Sequence, residues 1–171
     1  LDVNINKGEK VKINSITFKG INEFSEKKLK RVLKETKEKK FFRIFKTSKF
    51  LDEAFKTDLE QIINLYNEKG YRDAQIVLEN VEDISSNLID INITIEEGIK
   101  YHFRNIDWLG NTKYNSEYLD LLLGIKSGDV YDEKMMDERI QMSMSGTDIT
   151  SLYMDDGYLF FNINPGHHFV G

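Results

Sequence analysis

The chain has 171 residues, of which 40% are hydrophobic and 31% charged, and it contains no cysteine. These are ordinary values for a globular protein, and they exclude a disulfide framework or a thiolate metal site. The net charge of −5 is uneven, with 18 basic and 18 acidic residues in 1–98 against 6 and 11 in 99–171, and the acidic second part argues against the clustered basic face that nucleic-acid binding needs.

In chain order, Leu1, Val3 and Ile5 alternate with Asp2, Asn4 and Asn6, the pattern of a half-buried strand. The pattern starts part-way through, so we expect a piece of a longer protein; there is no signal-peptide pattern and no apolar run near the roughly 20 residues of a membrane helix. Residues 1–20 recur as 91–110 at a constant offset of 90, with Ile5, Gly8, Lys10, Ile16 and Gly20 identical to Ile95, Gly98, Lys100, Ile106 and Gly110. Such a period marks an array of small domains. Residues 1–8 then close a preceding unit, 9–98 form a first complete unit, and 99–171 form a second that lacks its third strand.

In the strand after Gly8, Val11 and Ile13 are apolar at odd positions and Ile16 and Phe18 at even ones; Tyr101, Phe103, Ile106 and Trp108 repeat the change. A strand alternates faces with period two, so both copies need a bulge or twist. We expect the first pair to pack on the preceding domain and the second to enter the unit's own core. Ser25 can cap a helix carrying Leu29, Val32 and Leu33, and Asn115 or Ser116 one carrying Leu119, Leu122 and Leu123. Asp52 opens a helix with Phe55, Leu59, Ile62, Ile63 and Tyr66 on one face, Gly70 ends it, and Tyr71 starts a strand. The matching stretch from Asp132 to Gly157 is seven residues longer and should break at Ser145–Asp148. Ala74, Ile76 and Leu78 alternate with Gln75, Val77 and Glu79, a polar turn follows near Asp83–Asn87, and Ile89, Ile91, Ile93 and Ile95 form the most apolar strand face, read as central. The fold class is α+β: tandem β-α-α-β-β units, each a three-stranded mixed sheet covered on one face by two helices.

A unit of this order, with LGIKSGDVYDEKMMD (123–137), NEKGYRDAQI (67–76), MDDGYLFFNI (154–163) and IDINITIEEG (89–98), resembles the POTRA domain over nearly the whole chain. The chain is similar to the periplasmic arm of a BamA-type outer-membrane assembly factor, and the insertion 34–50 is similar to one in the middle domains of such arms. The resemblance implies no catalytic residue and no cofactor. It implies a periplasmic place, attachment to the outer membrane through a downstream barrel, and two kinds of partner: unfolded outer-membrane β-barrel proteins and accessory lipoproteins. GHHFVG (166–171) departs from the pattern. POTRA domains of a two-partner secretion or TamA-like transporter are the alternative, and an FtsQ-type adaptor is a further one that tandem units argue against.

The chain offers little to catalysis or metal binding. His102, His167 and His168 have no acidic residue at ligand spacing, and Asp132-Glu133, Asp137-Glu138 and Asp155-Asp156 are adjacent residues that point apart on a helix. The basic-aromatic insertion carries Phe41, Phe42, Arg43, Phe45 and Lys46 as a possible partner surface or contact with anionic headgroups, or else its phenylalanines cover the unit's own core. The methionines of 135–144 admit the same two readings, an adaptable face or core filling. The edge strand Ala74, Gln75, Ile76, Val77, Leu78 and Glu79 is the expected client site, since an unpaired edge accepts an extended chain through backbone hydrogen bonds; Val77 and Glu79 are expected on the face away from the helices. Gly98, Tyr101 and Phe103 are the expected interdomain hinge. Leu1–Asn6 is also expected to pair between molecules with the incomplete second unit.

Overall fold

The computed structural model describes residues 10–39 and 50–168; the Leu1–Asn6 strand, its pairing between molecules, and the surface at Phe41, Phe42, Arg43, Phe45 and Lys46 lie outside them. The described residues divide into two compact units, one within Leu1–Asn67 and Tyr71–Ile99, the other within Glu68–Gly70 and Lys100–Gly171.

The first unit runs β1 (Lys12–Lys19), α1 (Glu26–Val32), α2 (Asp52–Asn67), β2 (Gln75–Ser85) and β3 (Leu88–Glu96). Its sheet has the order β1-β3-β2, with β1 parallel and β2 antiparallel to β3. β3 is central because Ile89, Ile91, Ile93 and Ile95 are all buried and alternate on one face. The parity change in β1 is a bulge between Ile13 and Ser15, which sets Ile13, Ile16 and Phe18 against Ile89, Ile91 and Ile93. Ile13 is 0% exposed within this unit's own core, and Val11 packs against the same core. The expectation that these two residues pack on a preceding domain is therefore corrected: the bulge returns the early apolar positions to the helix side.

Ser25 caps α1 by accepting from the Lys28 N–H, and α1 buries Leu29. α2 buries Phe55, Leu59, Ile62 and Tyr66 at helical spacing. Gly70 takes the left-handed conformation expected of it, φ +89°. Tyr71 begins a turn rather than a strand; the Ala74 N–H closes it on the Tyr71 carbonyl at 3.1 Å, and β2 starts at Gln75. At its other end β2 continues to Ser85, so the hairpin turn is shorter than the polar composition of 83–87 suggested.

The second unit carries α3 (Ser116–Leu123), α4 (Glu133–Asp137), a π-helical turn (Glu138–Met142) and α5 (Ile149–Asp155). Asn115, Asp132 and Asp148 cap α3, α4 and α5 with side-chain oxygens. The helical run breaks after Met142 and resumes at Ile149, around the Ser145–Asp148 turn residues. Leu119, Leu123, Met136, Ile140, Ile149 and Tyr153 form its core, with Phe103, Ile106 and Trp108 packed on it; Met144, by contrast, is fully exposed. Positions matching β1 show one antiparallel bridge, His102 to Val130, and the described residues hold no counterpart of β3 for a ladder.

Candidate functional site

The two edges of the first unit's sheet differ. On the β1 edge, the Lys39 N–H donates to the Ile13 carbonyl (2.7 Å) and the Phe50 N–H to the Val11 carbonyl (3.1 Å). Glu38 Oε1 accepts the Ile16 N–H at 2.9 Å and an ion pair from Lys30 at 2.7 Å. Burial works against the Lys30 ammonium, but its bonds to Glu26 and Glu38 raise its pKa. Both ends of the insertion thus occupy the β1 edge from Val11 to Ile16. Phe50 also lies 5.6 Å from Phe55, ring to ring, and covers the core.

These roots are held in turn by Asp58 on α2, a residue the sequence reading passed over. Its buried carboxylate accepts the N–H groups of Lys34 (2.7 Å), Glu35 (3.0 Å) and Thr36 (2.6 Å). A carboxylate on the stripe of Phe55, Leu59 and Ile62 was the available signal, since a buried charge needs partners.

The β2 edge has no strand on its outer side among the described residues. Its register with β3 skips Val77 and Ile84, two bulges that bracket a regular run from Leu78 to Asp83. Val77, Leu78, Val81 and Ile84 are 44%, 57%, 41% and 52% exposed, apolar side chains along a strand paired on one side with β3. The bulge at Val77 also reverses the faces. Leu78 lies opposite Thr94 on the outer face, whereas Glu79 lies opposite Ile93 on the helix side, which corrects the expected outward placement of Glu79. Ala74, expected as part of the edge strand, is only 7% exposed, precedes β2 and joins the core. Ile76 opposes Ile95 and packs on the core as well. Gln75 is tied to Glu96 at 3.2 Å.

The outer face of the sheet is polar. Asp90 accepts from Ser15 Oγ (2.7 Å) and Asn14 Nδ2 (2.8 Å), and these two bonds hold its carboxyl below the usual range. Thr17 Oγ1 donates to Asn92. Of the expected hinge residues, Gly98 has φ +70° and faces Asp73 within the first unit, while Tyr101 and Phe103 fall in the second, where Phe103 lies 5.1 Å from Tyr131. Among the described residues no group of His, Asp or Glu is placed to hold a metal ion, and no helix is long and apolar enough to cross a membrane. His102 is exposed, and the Tyr131 hydroxyl lies 3.4 Å from His167 Nδ1.

The fold and its edge define a class: an α+β module of the β-α-α-β-β kind that leaves one strand of its sheet open. Two successive stretches, residues 11–98 and 101–167, match the POTRA family, described as a surface antigen variable number repeat. The chain belongs to the POTRA family. It is similar to the outer membrane protein assembly factor BamA of Neisseria meningitidis, 27% identical over 140 residues that are 80% of this chain and 17% of that one. The BamA of Buchnera aphidicola is likewise 27% identical, over 78% of this chain and 22% of its own. Of the solved structures, Haemophilus influenzae BamA POTRA3-5 superposes with a TM-score of 0.56 at 23% identity, over 80% of this chain and 54% of that one. The chain thus spans about a fifth of the length of the curated relatives it matches.

Proposed function

We propose that this chain is a periplasmic module of an outer-membrane β-barrel assembly factor, non-catalytic, that holds unfolded barrel precursors by strand addition and docks accessory lipoproteins. The asymmetry of the sheet carries the reading: β1 is occupied by the insertion's roots, whereas β2 presents an unpaired backbone with exposed apolar side chains. The names of the BamA relatives support the assembly setting over a secretion transporter. Backbone bonds are indifferent to sequence, which suits a receptor for many clients. Each nets only about 0.5–1.5 kcal/mol, and ordering the incoming chain costs a comparable amount. One edge therefore binds weakly and releases readily, and an array of edges gains avidity. In this reading Gly98, with Tyr101 and Phe103 after it, supplies a bending point along the array.

Binding of a urea-unfolded barrel precursor to the full chain and to Val77→Pro tests this. Val77 sits at a bulge with no register partner in β3, a position where proline is tolerated in a sheet while it takes one N–H donor from the strand. Weaker binding at an unchanged Tm is expected. Equal binding by the variant rules out β2 as the receiving edge.

A further inference from the structure

The acidic side chains of β2 belong to the same edge. Glu79, Glu82 and Asp83 fall inside its regular run, and the strand contains no lysine or arginine. Among the described residues none of the three forms an ion pair. Lys56 is bound to Asp52 at 2.8 Å, the bond that chiefly raises its pKa, with Glu79 adding a smaller Coulomb effect, and among the described residues Glu82 accepts from Asn80 alone (2.6 Å). The register sorts them by face. Leu78, Asn80 and Glu82 oppose Thr94, Asn92 and Asp90 on the outer face; Glu79, Val81 and Asp83 oppose Ile93, Ile91 and Ile89 on the helix side. On the helix side an exposed valine thus stands between two carboxylates, and on the outer face a leucine and a carboxylate stand two places either side of Asn80.

Building on the strand-addition reading, we infer that this edge selects its occupant by charge: an extended segment that sets lysine or arginine against Glu79, Glu82 and Asp83 and apolar residues against Leu78 and Val81. Side chains directly across a strand pair are near neighbours; opposite charges there stabilise the pair and like charges destabilise it. An antiparallel copy of the same strand would set carboxylates among carboxylates, so a second copy of this chain is not the occupant. The acids therefore do two things at once: they keep the open edge from pairing with itself, and they leave it complementary to basic strands.

The test uses the full chain and three labelled synthetic peptides read by fluorescence anisotropy. One is an alternating Val/Thr strand with lysine at the charge-facing positions, the second has glutamate in those places, and the third is the lysine peptide N-methylated on alternate backbone amides. We expect the lysine peptide to bind about tenfold more tightly than the glutamate peptide at low salt, from three cross-strand pairs. That preference should vanish in the triple variant Glu79→Gln, Glu82→Gln, Asp83→Asn and shrink in high salt, and N-methylation should abolish binding. Equal binding of the lysine and glutamate peptides, or a preference that survives in the triple variant, overturns charge selection; if N-methylation still abolishes binding, strand addition stands without it. An N-methylated peptide that binds like its parent, or no binding by either parent, overturns strand addition and the charge selection resting on it.

Discussion

The Tyr66 hydroxyl donates to Glu97 Oε1 across 2.8 Å, joining the end of α2 to the residue that follows the central strand. The same oxygen accepts the N–H groups of Asn22 (2.8 Å) and Glu23 (3.0 Å), so one buried carboxylate gathers the exit of β1, the exit of β3 and the helix over them. Burial alone would raise the Glu97 pKa, but the backbone N–H groups and the Tyr66 hydroxyl outweigh it and hold the carboxyl below its ordinary value. Burial, followed by the bond to Glu97, pushes the Tyr66 hydroxyl well up.

Tyr66→Phe should cost about 1 kcal/mol, and Glu97→Ala on the order of 3 kcal/mol because two N–H groups lose their acceptor. The pH dependence follows from the lowered carboxyl: the unfolded chain binds the proton more readily than the folded one. Glu97's contribution is complete above the ordinary glutamate value of about 4.3 and is lost as the pH falls through the folded value. Urea unfolding at neutral and acid pH should show a loss of stability on acidification that is smaller in Glu97→Gln than in the parent.

The repeat offers a matched pair of glycines. Gly20 has φ +74°, and a Cβ there would lie 2.1 Å from the Ile95 carbonyl oxygen; Gly110, its counterpart, has φ +78° and nothing within 4 Å. Both alanine substitutions carry the left-handed cost of about 1–2 kcal/mol, but only Gly20→Ala also drives a methyl into the backbone of the central strand. Thermal melts should show Gly110→Ala folded with a modest drop in Tm and Gly20→Ala far less stable. Similar drops in both would mean that β1 and β3 can separate at that end without cost.

Asp58 makes a prediction about the closed edge. Asp58→Ala leaves three N–H groups, those of Lys34, Glu35 and Thr36, without their acceptor, a loss of about 3 kcal/mol or more; Asp58→Asn keeps one acceptor oxygen and should lose less. Hydrogen exchange should quicken first at the amides of Thr36 and Lys39 in Asp58→Ala. Unchanged exchange there would separate Asp58 from the covering of β1.

Which of these features the sequence disclosed follows from where burial imposes a period. The shift from odd apolar positions (Val11, Ile13) to even ones (Ile16, Phe18) announced the β1 bulge, though not that Ile13 joins the same core, and the alternation of Ile89 to Ile95 announced the central strand. The bulge at Val77 gave no such signal. Beyond Ile76 the strand is exposed on both faces, so its apolar residues follow no alternation, and counting by twos from Ala74 put Glu79 on the wrong face. The covering of β1 by Lys39 and Phe50 rests on main-chain groups far apart in sequence, which no side chain declares. The second unit's helices were legible from their caps at Asn115 and Asp132, whereas Tyr101 to Trp108 look like a strand in sequence and form no ladder without a partner strand.

In that second unit Arg139 holds the end of α3. Its Nη1 donates to the carbonyls of Leu123 (2.7 Å) and Gly124 (2.8 Å), carbonyl groups left without partners where the helix ends at left-handed Gly124. A cation also complements the negative end of the helix dipole. Arg139→Met keeps much of the aliphatic stem and removes both bonds, so it should cost about 1.5–3 kcal/mol; lysine, with one mobile ammonium in place of a planar fork, should recover only part of that loss. Trp108 reports the change, because its Nε1 donates to Asp120 on α3 at 2.7 Å and it is the single tryptophan of the chain. Its fluorescence should follow the unfolding of the second unit to a lower denaturant midpoint in Arg139→Met. A midpoint equal to that of the parent would show that solvent satisfies the α3 terminus as well as arginine does.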